Sequence, residues 1–195
     1  MKRFLVVVCA VAVCLGAATV HAQTAVPMVS VYFDEYFGVT GLEQCPVEPI
    51  GTVYVVAENW DMWMQSIEYA IDYPAQMVWL GDAVDDATQL KLGSSPLFGV
   101  HGGIAVTWQT RGNGFHPLLI QTASIAWDCQ GCTVQNIPVV VVQKATAEAL
   151  PGGLIRALES PNFETHGGVG MTSYLCATVP VEETTWGAVK ALYGN

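Results

Sequence analysis

The sequence predicts an all-β fold, a two-sheet β-sandwich of jelly-roll or immunoglobulin-like type that carries a short C-terminal helix. Two observations support this fold. Apolar and polar residues alternate with a period of two from Val29 to Thr178. Clusters of Gly, Pro, Asn and Asp divide the same stretch into roughly eight or nine short segments. Many short strands separated by turns are typical of a sandwich rather than of alternating helices and strands.

The strands can be followed in chain order. A first strand places Val29 and Val31 on one face, with Phe33 beyond them, and a second strand is predicted over residues 51–59. The clearest alternation lies at residues 66–73, whose apolar face holds Ile67, Tyr69, Ile71 and Tyr73. The opposite face of this strand is polar and acidic, so we expect one face to be buried and the other to meet water. Further strands are predicted at residues 76–80, 103–110, 118–127, 138–144, 154–158 and 171–178. Turn signals lie at residues 81–82, 111–114, 130–131, 151–153 and 160–162.

Only two segments have a helical pattern. Residues 85–92 (DDATQLKL) predict one or two turns of helix. Residues 184–193 begin with a Thr that can cap a helix and place Trp186, Val189 and Leu192 on one face. This tail either covers a sheet edge or acts as a docking or sorting tag. The expected organisation is therefore one sandwich domain at residues 23–183 and a short helix at residues 184–195.

Residues 1–22 have the features of a cleaved export signal. Lys2 and Arg3 precede an apolar run at residues 4–18, and Val20-His21-Ala22 offers the small residues that a signal peptidase accepts. About 15 apolar residues are fewer than the roughly 20 that a membrane-spanning helix needs, which disfavours a retained anchor. We expect a mature chain that begins at Gln23 and is secreted, at the cell surface, outside the cell or in a periplasm.

Composition excludes several classes of partner. Seven Lys and Arg residues stand against 17 Asp and Glu residues, a formal net charge of −10. A chain of this charge repels phosphate backbones and anionic lipid, which argues against nucleic-acid and membrane-surface binding. Only 12% of the residues are charged and 52% are hydrophobic, so we expect a folded core rather than disorder. No apolar run after residue 22 reaches the length of a membrane span.

The cysteines that follow the signal predict disulfides, because their number is even and the chain is exported. They are Cys45, Cys129, Cys132 and Cys176. A Cys129–Cys132 ring would stabilise the fold by about 2 kcal/mol through loop closure, whereas a bridge from either residue to Cys176 would contribute about 4 kcal/mol. We favour one long-range bridge to Cys176 and one to Cys45, with the partner of each left open. The alternatives are a redox CxxC pair and a zinc site, for which a second CxxC is missing.

Three segments, VSVYFDE, GTVYVVAEN and SIEYAIDYPAQMVWL, follow one another in the order seen in cohesins. Roughly residues 28–145 therefore resemble cohesin-type and related immunoglobulin-like sandwich modules. The whole chain also resembles a group of small exported proteins of uncharacterised bacteria, which carry a CxGC element before a valine-rich strand and end in TTWGxxKALY, here residues 184–193. Cohesins bind partner modules, so the resemblance implies a binding role, without recognition residues that can be transferred to this chain.

Two of the six tryptophans lie between strands and are candidate ligand-binding residues. Trp60 and Trp63 belong to the segment Glu58-Asn59-Trp60-Asp61-Met62-Trp63. Ring faces that stack on sugars, beside amide and carboxylate groups that bind hydroxyls, suit a glycan, and the same groups suit a protein hot spot. The alternative is that one or both rings plug the end of the sandwich. The tryptophans predicted inside strands are expected in the core: Trp79, Trp108 and Trp127.

Other groups of polar residues fit structural interpretations better than chemical ones. Asp82, Asp85 and Asp86 crowd one loop but lack the residue order of calcium loops, so an acidic loop or helix start is favoured over a calcium site. Two His-Gly-Gly triplets occur, but the G-x-S-x-G element that accompanies them in esterases is absent. The histidines are separated by whole strands, which disfavours a shared metal: His101, His116 and His166.

Together these observations predict a secreted, disulfide-bonded, non-catalytic binding or adhesion module that recognises a glycan or a protein and needs no cofactor. Its predicted ligand-binding residues are Asn59, Trp60, Asp61 and Trp63. The alternative is a self-associating structural component of the cell envelope or extracellular matrix. A hydrolase with a carboxylate pair or a metal site is disfavoured, because nothing local singles out such a pair.

Overall fold

The structure, a computed structural model, describes residues 26–84, 88–97, 102–113, 116–129, 131–144 and 155–177. The regular secondary structure of these residues is β-strand throughout. The strands in chain order are β1 (Met28–Tyr32), β2 (Gly41–Leu42), β3 (Ile50–Glu58), β4 (Trp63–Asp72), β5 (Met77–Ala83), β6 (Thr88–Ser94), β7 (Gly103–Asn113), β8 (Leu118–Trp127), β9 (Ile137–Val142), β10 (Ile155–Glu159), β11 (Thr165–Gly170) and β12 (Thr172–Leu175). Within these ranges no helix is long and apolar enough to cross a membrane. The predicted export signal and the predicted helix at residues 184–195 lie outside the described residues and stay predictions.

The strands form two layers, which confirms the predicted all-β sandwich. In the first layer the order is β5–β8–β3–β1, and neighbouring strands are antiparallel. In the second layer β4 has β7 and then β6 on one side. On the other side of β4, β10 pairs with its first half and β9 with its second half, and β12 and β2 continue from β9. β11 pairs with both β10 and β1, so the layers are joined along one side.

The core lies between the layers and is built from alternate residues of the strands. β4 shows this most clearly, because Ile67, Tyr69 and Ile71 are fully buried. Burial of a large apolar side chain of this kind stabilises a fold by about 1.5–3 kcal/mol. On the opposite face Asp72 is exposed and Glu68 is half-buried, but Ser66 and Ala70 are buried, so the face that the alternation predicts to meet water is only partly exposed. The core side chains of the neighbouring strands include Val29, Val31, Val53, Val55, Ala57, Ile104, Val106, Trp108, Ala123, Ile125, Val139, Val141, Ile155 and Ala157.

Some predicted elements were wrong. The helix predicted at residues 85–92 is strand β6 from Thr88 onward, and β6 pairs with β7 through Leu92 opposite Ala105. Its Leu-Lys-Leu sequence also fits a strand, and pairing with β7 decides between the two structures. The turn predicted at residues 81–82 is part of β5, where Asp82 lies opposite Ala123 of β8. The turn predicted at residues 111–114 is strand β7 as far as Asn113, and strands β2 and β11 were not predicted.

Two disulfides connect distant parts of the chain, Cys45 to Cys129 and Cys132 to Cys176, with Cα–Cα distances of 6.1 and 5.3 Å. The preference for long-range bridges is confirmed, and the partners that the sequence left open are assigned. The segment between Cys129 and Cys132 is thereby tied at one end to the loop before β3 and at the other to the residue that follows β12. Such cross-links fit a protein that resides in an oxidising compartment.

We expect each disulfide to stabilise the fold by about 4 kcal/mol, because the closed loops are long, with sequence separations of 84 and 44 residues. Guanidinium unfolding of the Cys45→Ser/Cys129→Ser variant and of the Cys132→Ser/Cys176→Ser variant measures the loss. Peptide mapping without reduction checks the pairing. A peptide that joins Cys129 directly to Cys132 would contradict it.

Candidate functional site

The outer surface of the first layer carries a row of exposed apolar side chains. Ala126 of β8 lies opposite Ile50 of β3 and also opposite Val78 of β5. Residues directly opposite one another share a sheet face, so these three side chains form one cross-strand row. Ile50 is 56% exposed and Val78 46% exposed, and Leu80, which lies at an irregularity in the pairing of β5 with β8, is 50% exposed. We call the surface formed by Ile50, Val78, Leu80 and Ala126 the outer sheet face.

The surroundings of the outer sheet face differ on its two sides. The next cross-strand pair, Thr52 opposite Ser124, is exposed and polar. Beside Ile50 opens a pocket of about 310 Å³ that is lined by Phe33, Val47 and Trp127 among others. The row therefore has hydroxyl groups along one border and a recess of mixed polar and apolar lining at one end.

An aromatic group lies further along the same layer. Tyr32 of β1 lies opposite Tyr54 of β3, and the ring of Phe37 packs against both, with centroid distances of 5.8 and 6.3 Å. The loop that carries Phe37 is closed by Asp34, whose Oδ1 accepts hydrogen bonds from the amides of Gly38 and Val39. Tyr32 is only 8% exposed, and Phe37 and Tyr54 are half-buried.

Glu58, the last residue of β3, accepts two hydrogen bonds at one oxygen. Ser30 Oγ donates to Glu58 Oε2 over 3.1 Å, and the Tyr32 hydroxyl donates to the same atom over 2.9 Å. Burial, and then the hydrogen bond to Glu58, raise the pKa of Tyr32 to about 12. Tyr32 therefore stays a neutral donor over the ordinary pH range.

Asp82 is a structural centre that holds β5 in place. Its Oδ1 accepts hydrogen bonds from Trp79 Nε1, Ser95 Oγ and Gln121 Nε2, and its Oδ2 accepts one from the Ser95 amide. The Nζ of Lys91 also donates to the Asp82 carbonyl oxygen over 2.8 Å. A carboxylate that is bound by this many donors has little capacity left for calcium, so Asp82 positions strands instead. Of the predicted acidic loop, the other two residues, Asp85 and Asp86, lie outside the described residues.

Trp60 and Trp63 do not form an exposed pair of rings. Trp60 is 1% exposed, and its Nε1 donates to the Met28 carbonyl oxygen over 3.0 Å. Gly168 lies directly against this ring, since a Cβ atom there would be 2.5 Å from Trp60 Cζ2. The prediction that Trp60 presents a stacking face is therefore wrong, because its ring plugs the end of the sandwich as in the alternative interpretation. Of the tryptophans expected in the core, Trp108 is buried. Trp79 and Trp127 are partly buried and pack against the core.

The other predicted ligand-binding residues are on the surface at this end of the sandwich. Asn59 and Asp61 are exposed, and Trp63 is 36% exposed. The Ser160 amide donates to the Trp63 carbonyl oxygen over 2.8 Å, which places the turn between β10 and β11 beside Trp63. Ligand binding by Asn59, Asp61 and Trp63 stays a prediction.

The same turn brings together three side chains that the sequence analysis missed as a group: Glu159, Glu164 and His166. The signal that could have found them is the spacing E-x4-E-x-H around the Ser160-Pro161-Asn162 turn, which places all three on one face of a hairpin. Of the other histidines, His116 is exposed and His101 lies outside the described residues.

We expect Trp60→Ala to lower the free energy of unfolding by about 3–5 kcal/mol, because it empties a buried site and removes a hydrogen bond. Trp63→Ala serves as the matched control and should cost about 1 kcal/mol, because that ring is partly exposed. Urea unfolding monitored by circular dichroism measures both. Equal losses of unfolding free energy in the two variants would contradict the buried position of the Trp60 ring.

We expect Tyr32 to make stability fall at alkaline pH. The pKa of Tyr32 is raised from 10.0 to about 12 in the folded protein, so its stabilising contribution is complete below pH 10 and is lost as the pH rises through about 12. The stability difference between wild type and Tyr32→Phe should shrink over this window in urea unfolding. Tyr36→Phe, at an 83% exposed residue, is the control. A difference that is constant with pH would refute the raised pKa of Tyr32.

Comparison with known proteins gives distant structural similarities. No family model matches the chain, and no curated protein matches it. A cohesin module from a family 33 glycoside hydrolase of Clostridium perfringens is similar with a TM-score of 0.43 and 10% identity, over 78% of this chain and 98% of that one. A non-cellulosomal cohesin from the hyperthermophilic archaeon Archaeoglobus fulgidus is similar with a TM-score of 0.41 and 16% identity, over 83% of this chain and 96% of that one.

Proposed function

We propose that this protein is an exported, non-catalytic binding module that docks a protein partner on its outer sheet face. The observation that carries the proposal is the apolar row Ile50–Ala126–Val78, whose two larger side chains are about half exposed. The outer face of an antiparallel sheet is normally polar, because it meets water. A contiguous apolar surface with a polar border marks an interaction site.

The shape of this surface favours a protein over a small molecule. Three neighbouring strands contribute to it, so it is broad rather than concave. The recess of about 310 Å³ beside Ile50 has room for an apolar side chain of a partner, which is how hot-spot residues are commonly received. The formal net charge of −10 favours a partner that carries basic groups around its apolar contact.

A glycan is less well supported. Sugar binding needs an exposed aromatic ring face, and the rings of Tyr32 and Phe37 pack against each other. Trp60, the other half of the predicted platform, is buried. Trp63 is the exposed ring of the predicted platform, and it lies with Asn59 and Asp61 at the end of the sandwich. Other aromatic rings are also exposed, among them Tyr36 and Phe163, but they lie outside that segment.

Self-association is the second candidate function, and one observation favours it. Among the described residues β5 pairs with β8 alone and β6 pairs with β7 alone, so both are edge strands. Leu90 and Leu92 of β6 are 48% and 53% exposed. Exposed apolar edge strands can pair with another copy of the same chain.

Cross-linking from defined positions tests the docking surface. A photo-reactive residue is placed at Val78, at Trp63 or at Met171 in the full chain and activated in the cells that produce it. Met171 is the matched control, since it is apolar, 39% exposed and lies between β11 and β12, outside the outer sheet face. We expect one protein partner to be captured from Val78, and its capture to be lost in Ile50→Lys.

Every other cross-linking result would contradict this docking surface. Capture of a second copy from Val78 would replace the proposal with self-association. Capture only from Trp63 would move the binding surface to the end of the sandwich. The same products from all three positions, or none, would remove the proposal. Thermal unfolding of Ile50→Lys near the wild-type midpoint shows that the variant is folded.

A further inference from the structure

The turn between β10 and β11 places two glutamates directly opposite each other. Leu158 pairs with Thr165 in the last regular step of the hairpin, and the Glu159 amide donates to the Glu164 carbonyl oxygen over 2.9 Å. Glu159 and Glu164 are therefore the next opposed pair. Side chains directly opposite on antiparallel strands lie on the same face, and like charges in that position are destabilising.

His166 lies in β11 and joins this pair from the C-terminal side of the turn, where Glu164 immediately precedes the strand. It is two residues beyond Glu164 and therefore on the same face. His166 Nε2 lies 3.1 Å from Glu159 Oε2. One ligand atom from each of the three residues lies within 4.8 Å of the other two. The side chain of His166 is 40% exposed and that of Glu159 28% exposed, so the cluster is open to solvent but partly enclosed.

The backbone around the cluster is held in position independently of it. β10 pairs with β4 on one side and β11 on the other. The Ser160 amide donates to the Trp63 carbonyl oxygen, and the Phe163 amide donates to the Glu159 carbonyl oxygen over 2.8 Å. Gly168, two residues after His166, packs on the buried ring of Trp60. The three side chains therefore project from a supported hairpin rather than from a loop.

The donor set restricts the kind of ion that would fit. An imidazole nitrogen with two carboxylates suits zinc and similar transition-metal ions, whereas calcium and magnesium take oxygen ligands. Zinc binds nitrogen and carboxylate oxygen at about 2.0–2.2 Å, so its tetrahedral ligands are roughly 3.3–3.6 Å apart. Ligand atoms within 4.8 Å of one another need only small rotamer changes to reach that geometry.

We propose that Glu159, Glu164 and His166 form a binding site for a divalent transition-metal ion, with Zn²⁺ as the representative ion. The ion neutralises two opposed carboxylates, of which His166 contacts one. Three protein ligands leave a fourth position for water. The site is separate from the outer sheet face, so it does not depend on the proposed docking function.

Zinc titration of the full chain, with its disulfides intact and in metal-free buffer, tests the site. Isothermal calorimetry is expected to show one Zn²⁺ bound per chain, and Co²⁺ is expected to give visible absorption bands on binding at the same site. His166→Asn and Glu164→Gln should each weaken Zn²⁺ binding by more than about tenfold. Substitution of residues that only support the ligands of a metal site already lowers metal affinity by about 10- to 100-fold.

Matched controls separate this site from general surface binding. His116→Asn and Glu35→Gln change exposed residues of the same types elsewhere, and both should leave Zn²⁺ affinity unchanged. Circular dichroism confirms that each variant is folded. The proposal is overturned if wild type binds no Zn²⁺, if His116→Asn weakens binding as much as His166→Asn, or if Ca²⁺ competes with Zn²⁺ at equal concentration.

Discussion

The fold depends on the inner face of β4, where Ile67, Tyr69 and Ile71 are all fully buried. β4 has neighbours on both sides, since β7 lies on one edge and β10 and β9 share the other. A register shift of one residue would turn these three side chains to the outside and bring Glu68 inward. The buried Tyr69 hydroxyl adds a further constraint, because burial raises its pKa well above the usual value and keeps it neutral.

The packing of the core explains why the first layer can leave apolar side chains on its outer face. The inward-facing residues of β3 and β8 fill the core on this side, so the outward-facing residues Ile50 and Ala126 are not needed to pack it. Strand β5 is held through its inner side by Asp82, which binds groups on β5, on β8 and at Ser95. Exposed Val78 and Leu80 therefore lie on an edge strand that polar contacts support from behind. Among the described residues nothing covers Val78 and Leu80, which is why the proposed docking surface includes them.

Sequence patterning predicted the strands that have one buried face and missed those defined by pairing alone. β4 was predicted because its alternation is uninterrupted. β11 was missed because Thr165–Gly170 is rich in glycine and has little apolar signal, although β1 and β10 both pair with it. The helix prediction for β6 is wrong because its short apolar pattern fits a helix as well as a strand. The hydrogen-bonded pairing with β7 favours the strand. The sequence could not assign the disulfide partners. The loop-closure entropy differs clearly between a short and a long loop but hardly between two long loops, so only the distances in the structure identify the pairs.

The candidate sites show the same limit at the level of single residues. Trp60 and Trp63 are three positions apart in one polar segment, and nothing local separates a plug from a surface ring. The difference arises from Gly168, a residue distant in sequence, which lacks a side chain and so leaves room for Trp60. That contact supports β11, which carries His166, while the Ser160 amide joins the preceding turn to Trp63. This end of the sandwich is therefore packed around the buried ring of Trp60. Trp60 is not exposed to a ligand, but it helps to position the exposed groups around it.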